Sequence, residues 1–349
     1  MEERLKKILF AVIESYVDSA SPVGSRYISK RFGLGISSAT IRNAMCDLEE
    51  MGYLSQPHTS AGRMPTGKGY RLLVEELMGF GVSANAELLK LLCDEVIGVR
   101  GHLSGFLGAA SKILSTYSHY MVVAMETTME NSILGRIELL RCRNDMVAVV
   151  LMTEEGTIKH KVSELDVPLS RRDLKNIADF LNSEFRGRTL GEIKIILEKE
   201  VRDKRVQRDT LISKVFGFFD KYLSSFDRDV FISGLGELIN LPDFDDIGKI
   251  KELSNAISDK ERIIEILDKI TENGGVQVFV GSEPFLDKKE LSLVASSVCD
   301  RGRPLGVLGL IGPQRMNYAS AISIIETSAR FLSSRLEDRQ EVDFGGEDY

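Results

Sequence analysis

Two adjacent side chains, Arg42 and Asn43, carry donor and acceptor patterns that can read base pairs. A guanidinium can bridge the two acceptors on a guanine edge, and a carboxamide can pair with the donor and acceptor of adenine. At ~100° per residue, Ala39, Arg42, Asn43, Cys46 and Glu50 share one side of a helix, with Ser38 and Thr40 flanking its first turn. Ile41, Ala44, Met45, Leu48 and Met51 fall on the other side as one buried stripe. Short polar groups therefore gather at the helix end that could enter a groove, where Ser, Thr and backbone amides suit phosphate. The residue types fit nucleic acid, while the base read by each side chain does not follow from them. A lone Arg on a helix is most often solvated, and a lone His in a turn is usually polar surface. The surrounding elements have to decide.

Those elements form a winged helix-turn-helix. Leu5, Ile8, Leu9, Val12, Ile13, Tyr16 and Val17 make a long amphipathic stripe on a first helix. A shorter second helix starts near Gly24 or Ser25, after the break at Ser21-Pro22, and stops at Gly33 and Gly35, which supply the positive φ of a helix end and a tight turn. Ser37 or Ser38 can then cap the helix that carries Arg42. After Gly52, residues 53–56 are strand-like, Pro57 limits further ladder pairing, and Ser60-Ala61-Gly62 is turn chemistry. Arg63-Met64 returns as the second arm of a short hairpin that Pro65 stops. Thr66 can cap a fourth helix whose inner face is Tyr70, Leu73, Val74 and Leu77. The expected DNA contacts are Ser38, Ala39, Thr40, Arg42 and Asn43 on the recognition helix and His58, Thr59, Ser60 and Arg63 on the wing.

Charge divides the chain in the same way. The whole is acidic, with a net charge of −7 and a pI near 5.4. Residues 1–74 hold ten Lys or Arg against seven Asp or Glu, a balance of +3 that leaves −10 for the remainder. Phosphate neutralisation supplies most nucleic-acid affinity, so the N-terminal part is the expected contact surface and the acidic remainder is repelled. A balance of +3 suggests weak binding by one copy, and pairing on a two-fold site doubles the contacts.

Several stretches carry a family resemblance: Ser-Pro-Val-Gly-Ser-Arg (21–26), Ala-Thr-Ile-Arg-Asn (39–43) and Gln-Pro-His-Thr-Ser-Ala-Gly-Arg-Met-Pro-Thr (56–66). Downstream are Val-Phe-Ile-Ser-Gly-Leu-Gly-Glu-Leu-Ile (230–239), Pro-Asp-Phe (242–244) and Gly-Arg-Pro-Leu-Gly-Val-Leu-Gly-Leu-Ile-Gly-Pro-Gln-Arg-Met-Asn-Tyr (302–318). Over nearly its whole length the chain resembles the bacterial heat-inducible transcription repressor family HrcA, with a looser match over 80–130 and departures at Cys46 and Met64. The resemblance implies a homodimeric repressor that binds double-stranded DNA at an inverted-repeat operator upstream of chaperone operons, in the class I heat-shock response. It implies that repression is lost on heat shock and that the GroE chaperonin maintains activity. It also implies a GAF-like sheet domain and an insert that takes part in dimerisation.

The length of 349 residues suits two or three domains, and a composition 43% hydrophobic and 28% charged is that of an ordinary globular protein. Four cysteines, Cys46, Cys93, Cys142 and Cys299, are scattered singly, which argues against a disulfide framework or a zinc site and suits a reducing cytoplasm. No secretory segment opens the chain, and the longest apolar run, 146–152, is far short of a membrane span.

The expected organisation is multidomain α+β. A winged-helix DNA-binding domain (1–80) is followed by a linker (81–105) with a helix at 87–99. A GAF-like sheet domain comes in two parts, 106–189 and 256–336. An inserted α/β dimerisation module (190–255) interrupts it, and an acidic, frayed tail (337–349) closes the chain. Strands are expected at 122–125, 133–142, 147–152, 157–162, 276–280, 291–297 and 305–311, with Asn144-Asp145 as a hairpin turn and a further strand at 230–233 inside the insert. Helices are expected at 190–205, 210–224, 263–270 and 319–335, with another capped by Ser170 that buries Leu174, Ile177, Ala178 and Leu181.

Chemistry is sparse in this part. Gly302, Gly306, Gly309 and Gly312 lie within an apolar strand, without the spacing or the following Lys-Ser or Lys-Thr of a phosphate loop, so close strand packing is the better reading. His102, His119 and His160 have no partners at ligand spacing, and the loop with Glu283-Pro284 and Asp287 offers no acid pair. No cofactor, no metal and no catalytic activity are expected. The competing class is an enzyme or small-molecule sensor that uses a winged helix for protein contact, and binding to a two-fold operator separates the two.

Overall fold

Helix α1 (Glu3–Ser19) forms where the apolar stripe predicts it, burying Ile8, Leu9, Val12 and Ile13. Full burial of such a side chain contributes about 1.5–3 kcal/mol. The helix stops at Ala20, whose φ of 52° is left-handed, just before Ser21-Pro22. The computed structural model describes residues 1–58, 61–80, 85–96, 103–127, 132–142, 146–154, 158–164, 170–202, 230–244, 246, 248, 250–251, 260–281 and 291–343. Helix α2 (Ser25–Phe32) ends on Gly33, at φ +54°, and helix α3 (Ser38–Glu50) follows. Strands β1 (Leu54–Ser55) and β2 (Met64–Pro65) pair antiparallel. Helix α4 (Gly67–Phe80) closes the N-terminal head; the Thr66 hydroxyl accepts the Gly69 amide at 3.3 Å, as a cap should.

The body continues with α5 (Ala86–Val96), α6 (Leu103–Ser118) and β3 (Met121–Glu126). After a separate module come β7 (Val230–Ser233), α9 (Leu235–Ile239), a single 3-10 turn at Pro242–Phe244 and α10 (Lys260–Asn273). Strands β8 (Val276–Val280), β9 (Leu291–Asp300) and β10 (Arg303–Pro313) and the long α11 (Tyr318–Asp343) complete it. The sheet is five-stranded and antiparallel, in the order β7-β3-β10-β9-β8.

Both faces of this sheet are covered. Val122, Ala124, Leu308 and Leu310 join a core with α5, α6 and α11, while Met121, Val123, Met125, Val307 and Ile311 pack against α9 and α10. This explains why its central strands read as continuous apolar runs rather than alternating ones. Gly306, Gly309 and Gly312 are packing positions, as expected: a Cβ on Gly312 would sit 2.9 Å from the Tyr120 ring. Gly302, by contrast, lies in the β9–β10 turn at φ +82°.

The separate module holds β4 (Leu134–Arg141), β5 (Met146–Thr153) and β6 (Ile158–Glu164) as a three-stranded antiparallel sheet, with α7 (Arg171–Phe185) and α8 (Leu190–Arg202). Ser170 caps α7 in a reciprocal capping box with Asp173. Leu134, Ile137, Val149 and Leu151 share a core with Leu174, Ile177, Leu181, Ile193 and Leu197.

The chain thus divides into two compact units, Met1–Thr127 with Asp229–Tyr349, and Thr128–Arg228. This corrects the expected boundaries of the insert, 190–255. Among the described residues, the strands expected at 133–142, 147–152 and 157–162 form a sheet with one another, joined at its edge by a single Ile133–Thr189 bridge, whereas 230–233, expected inside the insert, adds to β3 as Val122↔Ser233 through Met125↔Val230. The linker reading of 81–105 is also corrected within its described part, because Leu88, Leu92 and Val96 of α5 are buried in the body core. Likewise, residues 337–343 of the expected frayed tail continue α11. The helix expected at 210–224, the turn at Asn144-Asp145, the loop at 283–287, and His102 lie outside the described residues.

Candidate nucleic-acid interface

Helix α3 is set in place by its buried stripe, Ile41, Ala44, Met45 and Leu48. Its first turn is capped by Ser37, whose Oγ accepts the Thr40 amide at 3.1 Å and lies 2.9 Å from the Thr40 hydroxyl. A cap of this kind is worth about 1 kcal/mol. With the stripe turned inward, Ala39, Arg42 and Asn43 are exposed, and Ser38 and Thr40 are half-buried beside them. Among the described residues, no hydrogen bond or ion pair engages Arg42 or Asn43, so their donors face solvent ready for a ligand.

The wing is built on a contact the local sequence does not reveal. Val23, in the turn before α2, pairs with Arg63 through two backbone hydrogen bonds of 2.8 Å, adding a third rung beside β1 and β2. Gly62 makes this approach possible, because a Cβ there would lie 2.4 Å from the Val23 carbonyl oxygen. At the tip, the Ala61 amide donates to the His58 carbonyl at 2.8 Å, and the Gln56 side-chain amide donates to the Ala61 carbonyl at 2.9 Å. His58 is exposed there, whereas Thr59 and Ser60 lie outside the described residues.

Arg63 does not project from the wing as expected. Its guanidinium is mostly buried against α3, 2.7 Å from the Glu49 carboxylate, with Cys46 Sγ at 3.9 Å. Among the described residues its buried Nε has no hydrogen-bond partner. The ion pair with Glu49 ties the wing to α3. This also gives Cys46 a place, at the half-buried seam between helix and wing.

Other head cations are engaged in the same way. Arg31 pairs with Asp18 at 2.6 Å and Glu14 at 3.3 Å, and its hydrogen bond to Asp18 is the leading cause that holds its pKa above the ordinary value. Lys6 pairs with Glu76 at 2.7 Å, and Lys68 donates to the Met51 carbonyl while lying over the Tyr53 ring. Arg26 and Lys30 on α2 are exposed and, among the described residues, unpaired. They are phosphate-contact candidates that a helical wheel of α3 alone could not bring out. Among the described residues Arg4 and Lys7 on α1 are likewise exposed and unpaired, so five of the ten head cations, Arg4, Lys7, Arg26, Lys30 and Arg42, stay free, fewer than the sequence count suggests.

The comparisons agree with this architecture. Residues 1–78 match a domain family described as "Winged helix-turn-helix transcription repressor, HrcA DNA-binding", and residues 104–322 match "HrcA protein C terminal domain". The heat-inducible transcription repressor HrcA of Thermodesulfovibrio yellowstonii is 34% identical over 97% of this chain and 99% of its own length. That of Geobacter sulfurreducens is 35% identical over 97% and 98%. A crystal structure described as a hypothetical protein superposes with a TM-score of 0.64 at 21% identity, covering 97% of this chain and 99% of its own, which supports the fold. With a winged helix that leaves Arg42 and Asn43 free, and with matches over both the head and the body, the chain belongs to the HrcA family of heat-inducible transcription repressors.

Proposed function

We propose that this protein is a sequence-specific repressor of class I heat-shock (chaperone) operons that binds an inverted-repeat operator as a homodimer in the cytoplasm. The observation that carries this reading is the exposed, unpartnered Arg42–Asn43 pair on a capped helix beside a wing. In this reading, Ser38, Ala39 and Thr40 dock the first turn of α3 on the backbone, and Arg42 and Asn43 reach base edges. His58, with Thr59 and Ser60, follows the adjacent groove, and Arg63 holds the wing in register.

The body is read as a GAF-like domain, and the module at 128–228 as the part that holds two copies together. Support comes from the outer face of its sheet, where Leu140 and Val162 flank Ala148 and Ile158 neighbours Met152. Leu140, Val162 and Ile158 are 52%, 46% and 40% exposed. Heat releases repression by unfolding part of the molecule, and the GroE chaperonin restores the active form.

A gel shift tests the reading with a duplex that carries an inverted repeat from the organism's own chaperone promoters. Tight, salt-sensitive, two-fold binding is expected, and equal affinity for a scrambled duplex of the same length refutes it.

A further inference from the structure

Two of the stretches that carry the downstream resemblance meet at the base of the head. Arg315, in the β10–α11 loop, makes a fork-to-fork contact with Asp243 of the Pro242–Phe244 turn: Nε to Oδ1 at 2.9 Å and Nη2 to Oδ2 at 2.6 Å. Its third nitrogen, Nη1, donates to the Val17 carbonyl at 2.8 Å. Val17 lies in the last turn of α1, where backbone carbonyls have no partner within the helix. One side chain, 13% exposed, thus ties the end of a head helix to a turn of the body.

The neighbours in this loop also hold the head. Gln314 Nε2 abuts the first turn of α4, 3.1 Å from where a Cβ on Gly67 would lie. The Tyr318 ring lies against that of Tyr70 of α4, centroids 5.7 Å apart and tilted by 51°, and the Tyr318 hydroxyl lies 2.7 Å from Ser292 Oγ and donates to the Gln314 carbonyl at 2.8 Å. Among the described residues the buried Tyr70 hydroxyl has no hydrogen-bond partner. Arg42 and Asn43 are exposed while the clasp is closed.

We infer that Arg315 and Asp243 form a positioning clasp that fixes the orientation of the head on the body and thereby sets the half-site spacing that a pair of heads reads. The inference rests on the paired-operator reading above. A planar fork with five donors suits the task, because it fixes direction as well as distance, which a lysine ammonium does not. When both heads are held at one spacing, the second half-site is bound at a high effective concentration; freed heads lose that advantage but accept other spacings. The clasp acts through geometry and touches no base.

The test uses the full chain with Arg315→Lys and Asp243→Asn, which preserve volume, and three duplexes: a full inverted repeat, the same repeat with its spacer lengthened by one base pair, and a single half-site. Both variants should bind the half-site as the unaltered protein does. They should bind the full site at least about tenfold more weakly, which is about 1.4 kcal/mol, with a smaller penalty for the lengthened spacer. Equal loss on half-site and full site, or an unchanged spacer penalty, overturns the inference. Tighter full-site binding overturns it too, since the docked head would then be held off the operator. If the unaltered protein shows no preference for the full site, the paired-operator reading has failed instead, and hydrogen exchange decides the clasp. Arg315→Lys should speed exchange in the last turn of α1 and the first turn of α4 but leave α3 unchanged, and no change there overturns it.

Discussion

The Arg63 guanidinium lies 2.7 Å from the Glu49 carboxylate, so the wing and the recognition helix are joined by an ion pair whose arginine is 15% exposed. Arg63→Ala should therefore act on stability and wing placement. Leaving Glu49 unpaired at a partly buried seam should cost about 1–3 kcal/mol, read as a lower denaturation midpoint. The salt dependence of operator binding should keep its slope, because the guanidinium already neutralises a carboxylate. A slope reduced by about one unit would place Arg63 on phosphate.

Arg42 has the opposite profile. It is exposed and, among the described residues, held by no hydrogen bond or ion pair, so Arg42→Ala should change stability by no more than about 0.5 kcal/mol. Operator affinity should fall by about 1–3 kcal/mol, with discrimination relaxed at one base pair per half-site. Competition with single-base operator variants measures this, and a uniform loss over all of them would make Arg42 a backbone contact.

Glycine positions divide by what a methyl group would meet. Gly62→Ala would place a Cβ 2.4 Å from the Val23 carbonyl oxygen, so the Val23–Arg63 bridge must open. The expected cost is about 1–3 kcal/mol, together with weakened binding to half-site and full site alike. Gly79 lies inside α4 with nothing within 4 Å of its would-be Cβ. Gly79→Ala should stabilise by about 0.4–1 kcal/mol, and loss of stability there would show that the end of α4 needs the freedom of glycine.

Lys6 gives a pH signature for the contact between α1 and α4. Its hydrogen bond to Glu76 raises its pKa above 10.5, outweighing the smaller opposing effect of desolvation. A raised pKa on a cation contributes stability that is fully present below the unfolded value of 10.5 and is lost as pH rises through the higher folded value. Lys6→Met should therefore melt lower than the unaltered protein at pH 7, with the gap closing at strongly alkaline pH. A gap independent of pH would assign the difference to packing.

Heating the purified protein mildly should abolish operator binding irreversibly, with better recovery when chaperonin is present during cooling. Gel shifts before and after a heat step measure both, and full unaided recovery contradicts the proposed release mechanism.

The head was legible because its signals are local. The stripe Ile41, Ala44, Met45 and Leu48, the cap at Ser37 and the stop at Gly33 each act within a turn or two of chain, and the structure places all of them as read. The exposure of Arg42 and Asn43 was legible for the same reason: a helical period that fixes the buried face also fixes the exposed one. The partners of Arg63 were hidden, since Glu49 and Val23 reach it only after α3 and the turn before α2 have packed. In the body, strand positions could be read while strand partners could not. A β-period tells which side chains share a face, but pairing is settled between segments far apart in sequence, and so β7 joined β3 while β4, β5 and β6 formed a sheet of their own.

The sequence by itself determined a winged helix-turn-helix head on an acidic body, because residue type, helical period and charge are properties of short stretches. Only the tertiary structure decided that Arg63 pairs with Glu49, that the module breaks the body at 128–228, and that Arg315 grips Asp243 and the end of α1. Each of these is a meeting of polar groups from distant segments, and no local rule of sequence brings such groups within hydrogen-bonding distance until the apolar cores around them have closed.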